Sequence, residues 1–199
     1  MKIKYAIFTF LMLGMMTTVF AQTQKYQYPD ANGPQGISVV SRSATQMVLN
    51  FSVEEFSVSP IDIKGEEMMT LQFDNTLLPN DEGKPNLPGV SHYFALPQGA
   101  VAHVSILSKR EEVISNIEIA PAPRIPLDTE DGPMEYNKDV KVYNKNAFYP
   151  AETVAVSEPT VIRGVDASIV GITPFRYNPV TKELVVIRDM EIEVTFEGG

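Results

Sequence analysis

The chain of 199 residues carries 16 Lys and Arg against 25 Asp and Glu, with 15 prolines and no cysteine. Its net charge of −9 repels phosphate backbones, which makes nucleic acid a poor partner. The lack of cysteine excludes a thiol nucleophile, a disulfide framework and a zinc–thiolate site.

The first residues predict a cleaved export signal. Lys2 and Lys4 precede an apolar run that ends in the small-x-small pattern Val19–Ala21. The run is too short to span a bilayer comfortably, so a membrane anchor is disfavoured. We expect cleavage between Ala21 and Gln22, with a signal peptide over residues 1–21 and no membrane association afterwards.

The next segment, residues 22–35, is rich in Gln, Tyr, Pro, Asn and Gly and has no apolar period. Such a composition is typical of chain ends that are poorly tied down. We predict a linker or a loose N-terminal arm here, followed by one folded domain over residues 36–199.

From Ile37 onward the hydrophobic pattern has a period of two, which predicts β-strands. Val, Ile, Phe and Tyr dominate these runs, and Pro and Gly separate them. The predicted strands are Met47–Val53, Met69–Phe73, Tyr93–Leu96, Val101–Leu107, Val113–Ile119, Val140–Tyr143, Val154–Val156, Val165–Ile172, Leu184–Ile187 and Met190–Phe196. The fold class is therefore all-β: a single-domain antiparallel β-sandwich with little or no helix after the signal peptide.

A tight turn is predicted at Asn178-Pro179, between the strand that starts at Val165 and the alternating tail that ends at Phe196. Asn can bond its own nearby backbone, and Pro presets φ for a turn. These residues therefore indicate a β-hairpin.

Candidate catalytic groups are few. The chain has only two histidines, His92 and His103, and both lie in predicted strands. Ser91 and His92 are adjacent and point to opposite faces of a strand, so they do not form a Ser–His–Asp set with Asp81. No carboxylate lies at metal-ligand spacing from either histidine, and we expect neither catalysis nor a metal or other cofactor.

A proline-rich segment follows the strand that ends at Ile119. Four prolines between Pro121 and Pro133 exclude a helix and most ladder pairing. They favour an extended backbone, which loses little entropy on docking into a groove. Peptidase clefts accept extended chains, although a plain acidic surface loop would have the same composition.

Several short blocks of the chain, in their order and spacing, resemble the N-terminal propeptides of the gingipain-type cysteine peptidases. The similarity covers about Gly36 to Phe196 and is densest after Ile119. The blocks are Gly83-Lys84-Pro85-Asn86-Leu87-Pro88, Ile119-Ala120-Pro121, Phe148-Tyr149-Pro150, Ile162-Arg163-Gly164 and Thr173-Pro174-Phe175-Arg176-Tyr177-Asn178-Pro179.

This resemblance implies a non-catalytic prodomain that covers the active-site cleft of a gingipain-like cysteine peptidase, keeps the zymogen latent and assists its folding. The peptidase would follow in the same precursor or be separate. The resemblance also implies export by a type IX secretion route, through the periplasm and onward to the cell surface or the extracellular space.

The resemblance further implies that one residue of the loop between Ala122 and Ala147 enters the specificity pocket of the peptidase. Arginine-specific members have arginine at the position where this chain has Asp128, which puts arginine specificity in doubt. The candidate inhibitory residues are Asp128 with its neighbours Leu127 and Thr129, and Arg124 if the register has slipped.

A different class remains open from the residues alone: a secreted β-sandwich that binds glycan or protein. Exposed aromatic side chains would serve such a module. The candidates are Tyr26, Tyr28, Tyr143, Tyr149 and Tyr177.

Overall fold

A computed structural model of the chain describes residues 22–74, 76 and 81–199. The predicted signal peptide and Ala21 lie outside the described residues, and Gln22 is exposed at their start. The described elements are β1 Gln24–Gln27, β2 Gly36–Arg42, β3 Gln46–Ser52, β4 Glu55–Ile63, β5 Glu66–Gln72, β6 Val90–Ala95, β7 Val101–Ser115, α1 Val140–Tyr143, β8 Val154–Val156, β9 Thr160–Ile162, β10 Val165–Ile172, β11 Phe175–Asn178 and β12 Glu183–Glu197.

The largest sheet is built around β12. The 15-residue strand β7 pairs antiparallel with β12 along its whole length. On the other side of β12, the first half pairs with β11 and the second half with β3, and β2 extends the sheet beyond β3. Alternate β12 side chains are fully buried because a period-two strand turns one face to the core.

Two smaller sheets, in the orders β1-β4-β5 and β6-β10-β8, share one hydrophobic core with the large sheet. Phe56 of β4 meets Phe175 of β11 edge to face, with ring centroids 5.2 Å apart. Phe94 of β6 stacks on Phe196 of β12 at 6.0 Å. All named strand pairs are antiparallel, so the predicted all-β antiparallel fold is confirmed.

The predicted turn at Asn178-Pro179 closes the hairpin of β11 and β12, with Asn178 opposite Glu183. The Asn178 Oδ1 atom accepts a hydrogen bond from the Val180 N–H at 3.1 Å, which is the local bond expected of Asn in a turn. Strand β10 is not part of this hairpin, because it pairs with β6, β8 and β9 in a different sheet.

Residues 22–35 are not a linker or a loose arm, as was expected from their composition. Strand β1 pairs with β4, and the Tyr26 ring stacks on Phe56 at 4.7 Å. Tyr28 is 8% exposed, and the Arg188 guanidinium carbon stacks over its ring, 4.3 Å from the ring centroid. Long-range packing therefore ties this segment to the domain.

An ionic cluster holds the end of the same segment. The buried Asp189 carboxylate accepts hydrogen bonds from the Asn32 N–H at 2.6 Å, the Ser52 hydroxyl at 2.9 Å and the Arg110 Nε at 2.9 Å. Arg110 also binds Asp30, so the cluster links the N-terminal segment to β3, β7 and β12.

The run Val140–Tyr143, predicted as a strand, is the short helix α1. Val and Tyr favour strands, but the Asp139 carboxylate accepts a hydrogen bond from the Lys141 N–H at 2.9 Å and so caps a helical turn. Over residues 22–74, 76 and 81–199, no helix is long and apolar enough to cross a membrane.

Candidate functional site

The loop of residues 122–147 leaves the sandwich from a buried, extended stem. Ile119 pairs with Met69 of β5, and Ala122 donates from its N–H to the Lys84 carbonyl at 2.7 Å. Ile119 and Ala122 are at most 1% exposed. The first residues of the proline-rich segment are therefore anchored by the core, whereas residues 127–130 form a turn instead of continuing the expected extended run.

The backbone of Gly83 forms hydrogen bonds with both the outgoing and the returning stem of the 122–147 loop. Its N–H donates to the Ala122 carbonyl at 3.0 Å, and its carbonyl accepts from the Asp139 N–H at 2.8 Å. The Gly83 φ is +78°, and a Cβ there would lie 2.9 Å from the Asn137 carbonyl oxygen. A glycine at this position therefore lets the returning stem of the loop approach the backbone of residue 83 closely.

Polar contacts secure the returning stem. The Lys138 ammonium donates to Glu66 at 2.7 Å and to Glu118 at 3.2 Å. The Tyr143 hydroxyl donates to the Ile119 carbonyl at 2.9 Å, and burial raises the pKa of this phenol. The base of the loop is thus tied to β5 and to the stem that starts it.

The outer part of the loop forms a closed turn over residues 127–130. The Glu130 N–H donates to the Leu127 carbonyl at 2.8 Å. The Glu130 carboxylate accepts from the Leu127 N–H at 3.1 Å and from the Arg124 guanidinium at 2.7 Å. These two bonds hold the pKa of the Glu130 carboxyl below its usual value.

The structure brings three of the four predicted inhibitory residues together at this turn. Asp128 and Thr129 form its exposed corner, and Leu127, which starts it, is 66% exposed. Among the described residues, the Asp128 carboxylate has no side-chain hydrogen bond or ion pair. Arg124 lies at the foot of the turn, where its guanidinium pairs with Glu130.

Apolar side chains flank the turn. Ile125 is 63% exposed and Met134 is 57% exposed, and both lie in the 122–147 loop together with Leu127. Exposed apolar side chains clustered on one loop are a common feature of protein-binding surfaces. The loop therefore presents a carboxylate at its tip with apolar groups beside it.

The described residues contain no assembled catalytic set. His103 is exposed and lies 3.4 Å from Glu197, and His92 is half-buried in β6. Asp81 is engaged by the Tyr149 hydroxyl at 2.9 Å and by the Lys84 ammonium at 3.1 Å. Over the same part of the chain, no group of three or more His, Cys, Asp or Glu is placed to hold a metal ion.

The tyrosines considered for a binding module do not form an exposed surface. Tyr177 is 1% exposed and Tyr28 is 8% exposed, and both belong to the core. Tyr26, Tyr143 and Tyr149 are half-buried and pack against the same core. An aromatic glycan platform made of these side chains is therefore not supported.

Sequence reasoning missed Glu130. Glu130 lies three residues after Leu127 and six after Arg124. The sequence therefore shows an acidic residue at the position that closes a four-residue turn starting at Leu127. Nothing in that spacing alone shows that its carboxylate folds back onto the Leu127 N–H and onto the Arg124 guanidinium.

This architecture defines a class of protein: an antiparallel β-sandwich that presents one anchored loop with a closed turn at its tip. More particularly, the chain belongs to the Propeptide_C25 family, whose model matches residues 27–198. The match begins within the segment that was expected to be a linker, in agreement with the docking of β1.

Relatives in Porphyromonas gingivalis are gingipains. Gingipain R1 is 29% identical over 119 residues, which are 58% of this chain and 12% of that protein. Lys-gingipain HG66 is 27% identical over 167 residues, which are 80% of this chain and 10% of that protein. The chain thus spans about a tenth of the length of these relatives.

Two solved structures from the same organism share the fold. A complex of the RgpB pro- and mature domains matches with a TM-score of 0.76 at 21% identity, over 81% of this chain and 85% of that one. A structure concerned with the zymogenic latency of gingipain K matches with a TM-score of 0.74 at 24% identity, over 89% of this chain and 100% of that one.

Proposed function

We propose that this chain is the exported N-terminal propeptide of a gingipain-like cysteine endopeptidase precursor. It acts as an intramolecular inhibitor and folding aid by covering the active-site cleft. The observation that carries this proposal is the turn of residues 127–130, which holds an unpaired Asp128 carboxylate at the exposed tip of a loop anchored at both stems. The family match and the pro- and mature-domain complex of a structural relative support it.

The loop is suited to occupy a cleft. Its outgoing arm is extended, and its prolines restrict the backbone in the free domain, so little conformational entropy is lost on docking. The exposed Ile125, Leu127 and Met134 side chains would bury apolar area against the peptidase.

Asp128 would lie in the specificity pocket of the peptidase. A carboxylate that enters a pocket with a fixed guanidinium gains paired, charge-assisted hydrogen bonds. We therefore propose that the cognate peptidase prefers an acidic residue before the scissile bond. Arg124 is less suited to this role because Glu130 already pairs with its guanidinium.

The compartment is part of the same proposal. The basic start and apolar run of residues 1–21 support a signal peptide with cleavage between Ala21 and Gln22. The resemblance to gingipain propeptides further implies passage through the periplasm to the cell surface or beyond by type IX secretion, which we include in the proposal.

The test is inhibition of the peptidase made from the same precursor by this chain added separately. Substrates with Asp, Glu, Arg or Lys before the cut would define the specificity of the peptidase. Asp128→Ala should raise the inhibition constant by roughly 30-fold or more, because truncating one partner of a desolvated charge pair costs about 2–5 kcal/mol.

Asp131→Asn is the matched control, since it removes one exposed carboxylate of the same loop outside the turn. Equal inhibition by the parent and by Asp128→Ala would refute the pocket role. A parent chain that does not inhibit the peptidase would refute the proposed function itself.

A further inference from the structure

We infer that Glu130 is a positioning residue, which holds the turn of residues 127–130 in the shape in which Asp128 enters the pocket. This inference rests on the proposed function and assigns a role to a side chain that does not itself enter the cleft. Glu130 would act through Leu127 and Arg124.

The contacts form a continuous path from the foot of the turn to its tip. Arg124 donates from its N–H to the Glu135 carbonyl at 2.8 Å, which fixes the foot of the turn between the two arms of the loop. Its guanidinium lies 2.7 Å from the Glu130 carboxylate. The same Glu130 oxygen accepts from the Leu127 N–H at 3.1 Å, on the residue just before Asp128.

This arrangement closes the turn twice. The backbone bond from the Glu130 N–H to the Leu127 carbonyl is the usual closure of a β-turn. A second bond runs the other way, from the Leu127 N–H to the Glu130 carboxylate. Among the described residues, this N–H has no backbone partner. The backbone on both sides of Asp128 and Thr129 is therefore restrained before any partner binds.

The solvent exposure of the Arg124–Glu130 ion pair indicates whether its effect should be measured in stability or in binding. The Arg124 and Glu130 side chains are 40% and 39% exposed. An ion pair so open to solvent contributes little to global stability, because water and salt screen it. Its effect should therefore appear in binding, where a preorganised loop has less conformational freedom left to lose.

The experiment compares Glu130→Ala, Glu130→Gln and the control Asp131→Asn in the full chain, assayed against the peptidase of the same precursor. Glu130→Ala should raise the inhibition constant roughly five- to tenfold and leave the melting temperature unchanged. Glu130→Gln should recover part of the loss, because its amide oxygen can still accept from the Leu127 N–H. Asp131→Asn should behave as the parent.

A second measurement reads the turn without the peptidase. In the free chain, the backbone order parameter at Asp128 should fall from about 0.85 to below about 0.6 in Glu130→Ala and stay high in Asp131→Asn. The Arg124→Ala and Glu130→Ala effects on inhibition should be strongly non-additive, since both residues act through one contact.

Inhibition and order in Glu130→Ala equal to those of the parent would overturn the positioning role while leaving the proposed function in place. Loss of inhibition that only tracks a lowered melting temperature would also overturn it. A parent chain without inhibitory activity would overturn both the proposed function and this inference.

Discussion

Gly83→Ala tests whether close approach at the base of the loop is required. Gly83 has a φ of +78°, and its new Cβ would lie 2.9 Å from the Asn137 carbonyl oxygen and 3.2 Å from the Asp139 nitrogen. The left-handed backbone alone costs an L-residue about 1–2 kcal/mol. Displacing these two backbone atoms of the returning stem adds about 1–3 kcal/mol to the loss of unfolding free energy, which is the usual cost of overpacking.

Gly65→Ala is the matched control. Gly65 lies in the two-residue turn between β4 and β5 with a φ of +83°, and its Cβ would meet nothing within 4 Å. This variant therefore carries the backbone cost without the steric cost, and both variants share the same change in the unfolded chain. The difference in unfolding free energy between them should be at least about 1 kcal/mol.

The assay is urea denaturation of the parent and of both variants, supported by thermal melting. For a domain of this size, a difference of about 1 kcal/mol corresponds to a difference of about 2–4 °C in melting temperature. Equal destabilisation by Gly83→Ala and Gly65→Ala would refute the reasoning, because it would show that the returning stem of the loop tolerates a methyl group at residue 83.

Two further predictions concern stability. Asp189→Ala should lower the free energy of unfolding by about 3 kcal/mol in urea denaturation, because it leaves Arg110 and the Ser52 hydroxyl without their shared acceptor. A loss no larger than that caused by Asp30→Asn would contradict this prediction. Burial raises the pKa of Tyr177 from 10.0 to about 12. The folded state keeps a proton that the unfolded chain loses above pH 10.0, so stability should fall as the pH rises from 10.0 towards about 12. Tyr177→Phe should make the unfolding free energy fall less steeply with pH in this range, and an unchanged slope would contradict the prediction.

The strands could be predicted because their signal is local. The alternation Met47, Leu49, Phe51 follows one face of β3, and all three side chains are at most 1% exposed. The turn at Asn178-Pro179 was also readable, since it depends on the turn chemistry of two neighbouring residues.

The features that were missed depend on distant partners. Tyr28 is placed by Phe56 and Arg188, which lie far away in the sequence, so a segment of linker-like composition is in fact part of the core. At Val140–Tyr143, β propensity outweighed the Asp139 cap in the prediction, although the cap was visible. The candidate loop was located by resemblance, whereas the contacts of Glu130 depend on a fold-back of its side chain that only the structure shows.

The place of β12 in the chain has a consequence for biogenesis. This strand lies at the centre of the largest sheet and is the last strand to be synthesised among the described residues. Strands β3 and β7 both pair with it, so these two pairings form only after residues 183–197 have been made. Sheets closed by such non-local pairing form slowly, since a long stretch of chain must be ordered at once. The large sheet of the nascent domain therefore cannot be completed until β12 has been made, whereas the hairpins β2–β3 and β4–β5 join strands that are neighbours in the chain.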